Sequence, residues 1–466
     1  MKLIYEQTKY IKLVLQKQNI DITKSYRKNF YMTECSVNGG ILLLNTITLE
    51  LIFLDYNEIE LLKTPDLNNL TIRHLIEQYF LVPEDFNDKQ FALQVTDARI
   101  QVQNIYTNPP LSFFVILPTT GCNARCFYCF EQGAKVSNMT EQTAHDVADF
   151  IERKGAPKIK IQWFGGEPLV NIKAIDTISN DLAAKNIDFS SIMVSNGYLL
   201  DEEVIKKAVE LWKLERIQIT LDGTEEIYNK IKDYVYKNVS SPFIRVLNNI
   251  EHALKAGIQI NIRLNMDEHN SVDLFDLSKL LVEKFSKYNN CYIYVVRLFE
   301  DTCSKIKNRE VNDRHKLIKC SIALQEYINS NMPKPTYDKL GDSIENPNSC
   351  MACSDNAVMI VPDGHLGKCE HFVDSDFYGS IYSDESDLQK IAKYKERETI
   401  IPECDDCELR TLCIHLKCCT GVPHHCDNMD KMAIKSRLNS KLLNTYNKFL
   451  EENINKASNR CTDDYC

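Results

Sequence analysis

Three closely spaced cysteines carry the first chemistry legible in this chain. Cys122, Cys126 and Cys129 lie in the run Thr119-Thr-Gly-Cys-Asn-Ala-Arg-Cys-Phe-Tyr-Cys-Phe130, a C-x3-C-x2-C spacing. Three thiolates on one short loop suit three irons of a 4Fe–4S cluster. No fourth ligand is near, so one iron is left open. An open iron chelates a substrate or cofactor, whereas a fully ligated cluster normally only transfers electrons. Tyr128, just before the last cysteine, is set to shield the cluster. The alternative is a zinc knuckle or buried free cysteines, although zinc usually takes four ligands in paired C-x2-C form.

A second array lies toward the C-terminus: Cys350-x2-Cys353, Gly364-x4-Cys369, Cys404-x2-Cys407-x5-Cys413, then Cys418, Cys419 and Cys426. With 18 cysteines in 466 residues and no secretory signal in the first ten, metal sites are favoured over disulfides. A pair of structural zinc sites is the alternative for this array. The net charge of −10 lacks the signature of a nucleic-acid binder. The most apolar stretch, Ile41 to Leu54, is broken by Asn45, Thr46, Thr48 and Glu50 and is too short to span a bilayer. The expectation is a cytoplasmic protein with neither a nucleic-acid nor a membrane partner.

The length allows two to four domains at roughly 150 residues each, and the elements divide the chain into four segments. Residues 1–107 contain strand-like alternation at Gly40–Thr46 and Glu50–Asp55, helical patterns at Asn57–Leu62 and Thr71–Phe80, and a further strand-like run at Phe91–Ile100. Residues 108–335 begin at Pro109-Pro110. They alternate strand candidates (Phe113–Leu117, Ile159–Phe164, Ser191–Ser195, Arg216–Leu221, Gln259–Leu264, Cys291–Leu298) with amphipathic helices. That alternation predicts an α/β fold, a parallel sheet in a partial (β/α)6 TIM-like barrel with its site at the C-terminal strand ends. Residues 336–436 are loop-rich and hold most cysteines. Residues 437–466 continue a charged helix and a polar tail.

Further motifs follow the strands: Gly165-Gly-Glu-Pro168 after the second, Ser195-Asn-Gly197 after the third and Leu221-Asp-Gly223 after the fourth. Glycines at such turns allow close backbone approach to a ligand. With the first cysteine loop, these motifs resemble the radical S-adenosylmethionine (radical SAM) superfamily. The resemblance implies that the open iron binds the methionine moiety of S-adenosyl-L-methionine, and that a 5′-deoxyadenosyl radical then abstracts hydrogen from substrate. It places the Gly165, Gly166, Glu167 and Pro168 turn on the methionine amino group. Tyr128, Ser195, Asn196 and Asp222 fall near the cofactor or substrate, and Arg263 falls on the cofactor carboxylate, a task suited to a bidentate fork. Ser241 is a second candidate for that carboxylate, although relatives carry their serine one position later, at Pro242 here. A rim salt bridge is the plain alternative for Arg263.

The C-terminal array, with Ile360-Val-Pro-Asp-Gly-His-Leu-Gly-Lys-Cys369, is similar to the SPASM extension of peptide-modifying members such as the anaerobic sulfatase-maturating enzymes. That likeness implies two auxiliary 4Fe–4S clusters, one held by Cys350, Cys353, Cys369 and Cys418, the other by Cys404, Cys407, Cys413 and Cys426. The spacing at Cys418-Cys419 departs from the usual pattern and leaves open which of the two is the ligand, and whether one auxiliary iron is open. Glu370 stands where sulfatase maturases carry a catalytic base; a hydrogen bond within the hairpin is its other reading. His365 and His371 read as surface residues.

The N-terminal segment resembles modules that bind the leader of a ribosomal precursor peptide as an added strand; a structural cap on the barrel is its alternative. The expected function is therefore a radical SAM/SPASM maturase of a ribosomally synthesised (RiPP) precursor peptide, served by an electron donor such as flavodoxin or ferredoxin. The best-fitting product is a sulfur-to-carbon thioether, with an auxiliary cluster taking the surplus electron. Peptide epimerisation, carbon–carbon crosslinking and formylglycine generation on a sulfatase are rivals of the same class. A non-catalytic metal-bearing binding protein is the rival of another class.

Overall fold

The strongest determinant of the architecture is a set of six β-branched and leucine-rich runs whose alternate residues are buried against helices. In the computed structural model these runs are six parallel strands. The structure describes residues 1–5, 12, 14–103, 110–236, 241–298, 313–333, 350–394, 404, 407–412 and 426–463. Among the described residues six strands precede the barrel in two small antiparallel sheets: β1 (Lys2–Tyr5), β2 (Tyr26–Lys28), β3 (Met32–Val37), β4 (Gly40–Asn45), β5 (Leu51–Asp55) and β6 (Leu81–Pro83). The barrel strands are β7 (Leu111–Thr119), β8 (Gly155–Gly165), β9 (Asp188–Ser195), β10 (Leu214–Leu221), β11 (Gln259–Met266) and β12 (Cys291–Arg297), in the sheet order 12-11-10-9-8-7. All six expected barrel strands are present, and the barrel is open.

Strand β10 illustrates the mechanism. Ile217, Ile219 and Leu221 are fully buried toward the helices, while Arg216, Gln218 and Thr220 line the concave side half-exposed. Parallel pairing carries that division across to Ile260, Ile262 and Leu264 of β11 in matched register. The covering helices start at sequence-legible caps: Thr140 accepts from Thr143 N for the helix Glu141–Lys154, and Asp201 accepts from Val204 N for Glu202–Glu210.

The sheet does not end at β7. Strand β13 (Ala357–Ile360) pairs in parallel with Phe113–Ile116 of β7, and β14 (His365–Gly367), β15 (Gly379–Ser380) and β16 (Ser383–Ser386) follow antiparallel. The cysteine-rich extension thus enters the barrel sheet as a continuation, giving ten strands in one sheet among the described residues.

The N-terminal strands form a sheet of order β1-β5-β4-β3. One face packs Leu43, Ile52 and Leu54 on Ile72, Leu75 and Ile76 of the helix Leu70–Glu77. The other packs Leu42, Leu44 and Phe53 on Leu438, Leu442 and Tyr446 of the C-terminal helix Asn428–Asp463. The 4-residue periodicity of those three is a helix stripe, and Tyr446 stacks on Phe53 at 5.5 Å. The expected strand at Phe91–Ile100 is instead part of the helix Asp88–Gln103. Its apparent alternation Phe91, Leu93, Val95 is coincidental, since the buried positions are Ala92 and Val95, one helical turn apart. Residues 407–412 attach to the same module: Thr411 Oγ1 donates to Thr46 Oγ1 (2.8 Å), and Thr46 Oγ1 donates to the Glu408 carbonyl.

Candidate active site at the C-terminal strand ends

Burial of Phe114–Thr119 brings β7 to the centre of the sheet, so the loop after it emerges among the C-terminal strand ends. The loop is latched at its base. Thr120 N donates to the Ser137 carbonyl (3.0 Å), Thr120 Oγ1 to the Lys135 carbonyl (2.8 Å), and Gly121 N to Thr119 Oγ1 (2.8 Å). Within it, Cys129 N donates to the Cys126 carbonyl, a tight turn that brings those two thiols to one side. Burial, with the nearby Glu167, pushes the Cys122 thiol up to about 12; burial lifts Cys129 to about 11 and Cys126 in the same direction. The Cys122 thiol also feels Cys126 and Cys129, and the Cys129 thiol feels Cys126, so the three lie near one another. Among the described residues no three His, Cys, Asp or Glu groups close on a point suited to a single metal ion.

The Gly165-Gly166 turn has a purpose that the motif alone did not disclose. A Cβ on Gly165 (φ +108°) would strike the Thr119 carbonyl, and one on Gly166 would strike the carbonyls of Gly121 and Thr120. The glycines admit the backbone of the cysteine loop. Glu167 then turns inward. Its carboxylate accepts from Leu169 N (3.1 Å), Ser195 Oγ (2.9 Å) and Asn196 N (2.7 Å), and burial raises its pKa to about 7. It locks the end of β8 to the end of β9. Pro168 begins the short helix that follows. Asn196 Nδ2 donates to Asn123 Oδ1 (2.6 Å), which ties β9 to the residue after Cys122.

A buried polar group completes the far side. Tyr128 OH donates to Asp222 Oδ2 (2.9 Å) and accepts from Lys232 Nζ (3.0 Å) and Asn265 Nδ2 (3.1 Å). Asn265 Oδ1 in turn accepts from Arg263 Nε (2.8 Å). Tyr128, Asp222 and Arg263 therefore belong to one network. Ser241 does not join it: it caps the helix Pro242–Lys255, accepting from Ile244 N, and takes a hydrogen bond from Asn229. Lys232, Asn265 and Asn123 were not anticipated. Lys232 is fully buried, and the only trace of this in the sequence is its four-residue spacing from the buried Tyr228.

The site's unfilled hydrogen-bonding atoms fit a resident group. Asn123 Nδ2, beside Cys122, and Asp222 Oδ1 are both buried and take no hydrogen bond among the described residues. A donor beside a cluster ligand suits cluster sulfur, and a carboxylate oxygen at the strand ends suits a hydroxyl- or ammonium-bearing cofactor. Three thiols with no fourth ligand at hand among the described residues suit a 4Fe–4S cluster with one open iron better than zinc.

In the extension, Cys350 and Cys353 flank a single helical turn before β13, and Cys369 follows β14. Cys353 Sγ donates to the Tyr394 carbonyl (3.2 Å), and the Tyr394 phenol, raised chiefly by burial and its bond to Asp376, also feels Cys369 and Cys350. These three cysteines are brought together around Tyr394. Burial, with Cys350 nearby, raises Glu370 to about 7. Cys404 and Cys407 are buried and adjacent through Cys407 N and the Cys404 carbonyl (3.4 Å); Cys426 lies beside Asp427. Cys413, Cys418 and Cys419 lie outside the described residues. His371, expected at the surface, packs its ring on Phe130 at 4.5 Å and so joins the first cysteine loop to the extension; His365 is exposed and pairs with Asp363.

Known proteins align with this arrangement. Residues 116–281 match the model of the radical SAM superfamily. A Clostridium perfringens (strain 13) GTP 3′,8-cyclase is 24% identical over 273 residues, 56% of this chain and 81% of that protein. A Methanococcus aeolicus protein described as "Probable GTP 3′,8-cyclase" is 30% identical over 145 residues, and this chain spans less than half of its length (45%). Among solved structures, native anSMEcpe with bound AdoMet superposes with a TM-score of 0.56 at 18% identity, covering 73% of this chain and all of that one. The fold is shared over that part of this chain. The strand-end cysteine loop, its glycine clamp and the family match agree, and residues 116–281 are a domain of the radical SAM superfamily.

Proposed function

We propose that the chain is a radical SAM enzyme of the SPASM type that modifies a ribosomally made precursor peptide, forming a sulfur-to-carbon thioether. One observation carries this reading: the cysteine hairpin that begins at Cys350 is annexed in parallel to β7, the strand that delivers Cys122, Cys126 and Cys129. Two cysteine sites on one strand pair suit an enzyme that moves electrons between a radical-generating centre and an auxiliary one. The protein anSMEcpe, which shares this fold, is known with AdoMet and the Kp18Cys peptide bound, which supports a peptide substrate here.

A 4Fe–4S cluster with S-adenosyl-L-methionine supplies reductive cleavage of the sulfonium and a hydrogen-abstracting 5′-deoxyadenosyl radical. The chain's own residues orient and enclose. Cys122, Cys126 and Cys129 hold the cluster, and the Gly165–Pro168 turn presents backbone to the methionine end of the cofactor. Arg263, fixed by Asn265, offers a guanidinium to its carboxylate. Cys350, Cys353 and Cys369 hold an auxiliary cluster whose fourth ligand comes from Cys418 or Cys419, and Cys404, Cys407, Cys413 and Cys426 a second. Glu370, raised by burial, is available to take a proton from substrate. Positioning one C–H bond against the radical and excluding quenchers is the protein's contribution.

The test is anaerobic reconstitution, reduction, and co-incubation with short cysteine-rich peptides encoded beside the gene. Formation of 5′-deoxyadenosine with loss of two hydrogens from the peptide is the expected result. Unchanged peptide mass with deuterium uptake means epimerisation instead. A reduced, fully loaded protein that releases no 5′-deoxyadenosine defeats the enzyme reading.

A further inference from the structure

The segment that follows β10 grips the first cysteine loop on both sides of Cys126. The Lys232 carbonyl accepts from Arg125 N (2.8 Å), one residue before Cys126. The Lys232 ammonium donates to Tyr128 OH (3.0 Å), two residues after it. The helix Glu225–Lys232 ends there at Asp233, whose left-handed turn (φ +40°) redirects the chain so that Val235 N donates to the Asn123 carbonyl (2.9 Å). Thus three contacts from residues 232–235 hold Asn123, Arg125 and Tyr128.

The ammonium itself has no freedom. A lysine has three N–H donors, and all three are engaged: Asp222 Oδ2 at 2.9 Å, Thr220 Oγ1 at 2.6 Å and Tyr128 OH at 3.0 Å. Both charges of the Lys232–Asp222 pair are buried. Burying such a pair costs desolvation that a well-packed apolar pair would avoid, so the ion pair is poorly explained as a stability device. Its position suggests another use. The carbonyl and the ammonium of Lys232 hold the residues on either side of Cys126, so its charge is fixed against the cysteine loop.

We propose that Lys232 is a positioning residue of the radical-generating site, holding the cysteine loop through Tyr128 and Arg125 and setting the reduction potential of the cluster by its fixed positive charge beside Cys126. The proposal rests on Cys126 being a cluster ligand. Reduction adds negative charge to the cluster, which a nearby cation stabilises, so Lys232 raises the potential and eases electron entry.

The test uses the full chain with its clusters reconstituted anaerobically. The variant Lys232→Gln removes the positive charge and keeps a hydrogen-bonding group in place. The expected result is wild-type iron and sulfide content, with a lower potential for the cluster whose EPR signal responds to S-adenosyl-L-methionine. A tenfold fall in its reduced-to-oxidised ratio at fixed ambient potential is the expected scale, about 59 mV for a one-electron couple. An iron-loaded variant with unchanged potential and line shape overturns the proposal. A second measurement needs no altered core. In wild-type protein grown with nitrogen-15-labelled lysine, pulsed EPR of the reduced cluster is expected to detect a lysine nitrogen coupling that disappears in Lys232→Arg; no coupling in the wild type overturns the proposal. If no signal responds to S-adenosyl-L-methionine at all, the assignment of Cys126 fails first.

Discussion

Gly166 packs against the backbone of Gly121 so closely that a single methyl group at position 166 would overlap the Gly121 carbonyl. The contact joins the end of β8 to the loop that carries the cysteines, and backbone on backbone cannot yield as a flexible side chain would. Gly166→Ala is expected to displace the loop. The measurable outcome is a chain that folds yet retains about 10–100-fold less affinity for iron at the first cysteine site, the usual scale for losing support around a metal. Iron and sulfide analysis checks this.

Glu167 stands behind this contact, and its titration is readable. Its pKa is raised from 4.5 to about 7 because burial disfavours the charge more than its three hydrogen bonds favour it. A raised carboxyl pKa contributes stability that is complete below the unfolded value of about 4.5 and is lost as pH rises through about 7. Glu167→Gln cannot titrate. Relative to it, the wild type is expected to lose about 3 kcal/mol between pH 4.5 and 7.5, at 1.4 kcal/mol per pK unit. Urea unfolding midpoints of both proteins across that range test the sign; a parallel course of the two curves contradicts it.

The barrel was legible because its strands are long apolar runs bounded by helices with capping residues, and because the glycine motifs mark the strand ends. The pairing of β13 with β7 was not. The Asp363-Gly364 turn announces only a local antiparallel hairpin, while the parallel partner lies about as far back as Ser112 is from Asn356, 244 positions. Lys232 was hidden for a different reason. The run Glu225-Glu-Ile-Tyr-Asn-Lys-Ile-Lys232 reads as a solvated charged face, and only tertiary placement beneath Tyr128 reveals which lysine is buried. Cys122, Cys126 and Cys129 needed no such context, since their spacing within one loop already implied a shared site.

Glu251 offers an electrostatic test remote from the cysteines. It projects from the helix Pro242–Lys255 toward Lys284 (3.0 Å), Lys255 (3.4 Å) and Lys287 (3.6 Å), and accepts from Tyr288 OH (3.1 Å). The bond from Lys284, opposed by some burial, helps hold its pKa down at about 2. A depressed carboxyl contributes stability present above about 4.5 and lost as pH falls toward 2. Because the group is near the surface, solvent screening limits its worth to about 1 kcal/mol. Glu251→Gln is expected to cost that much at pH 6 and nothing at pH 2, and molar salt is expected to shrink the difference at pH 6.

Leu442 decides whether the two ends of the chain unfold together. It is fully buried, one turn from Leu438 and Tyr446, in the stripe by which the C-terminal helix covers Leu42, Leu44 and Phe53 of the N-terminal sheet. Cys407 and Leu409 belong to the same cluster, so the stripe also braces part of the second cysteine array. Leu442→Ala removes a buried side chain and leaves a cavity, a loss of about 2–5 kcal/mol. If the N-terminal strands depended only on their own helix, a probe on Tyr31 and one on the C-terminal helix would report separate transitions. The shared core requires a single one, shifted equally for both probes in Leu442→Ala. Hydrogen exchange of β4 and of residues 438–446 is therefore expected to accelerate in parallel in the variant, while exchange in β10 stays as in the wild type.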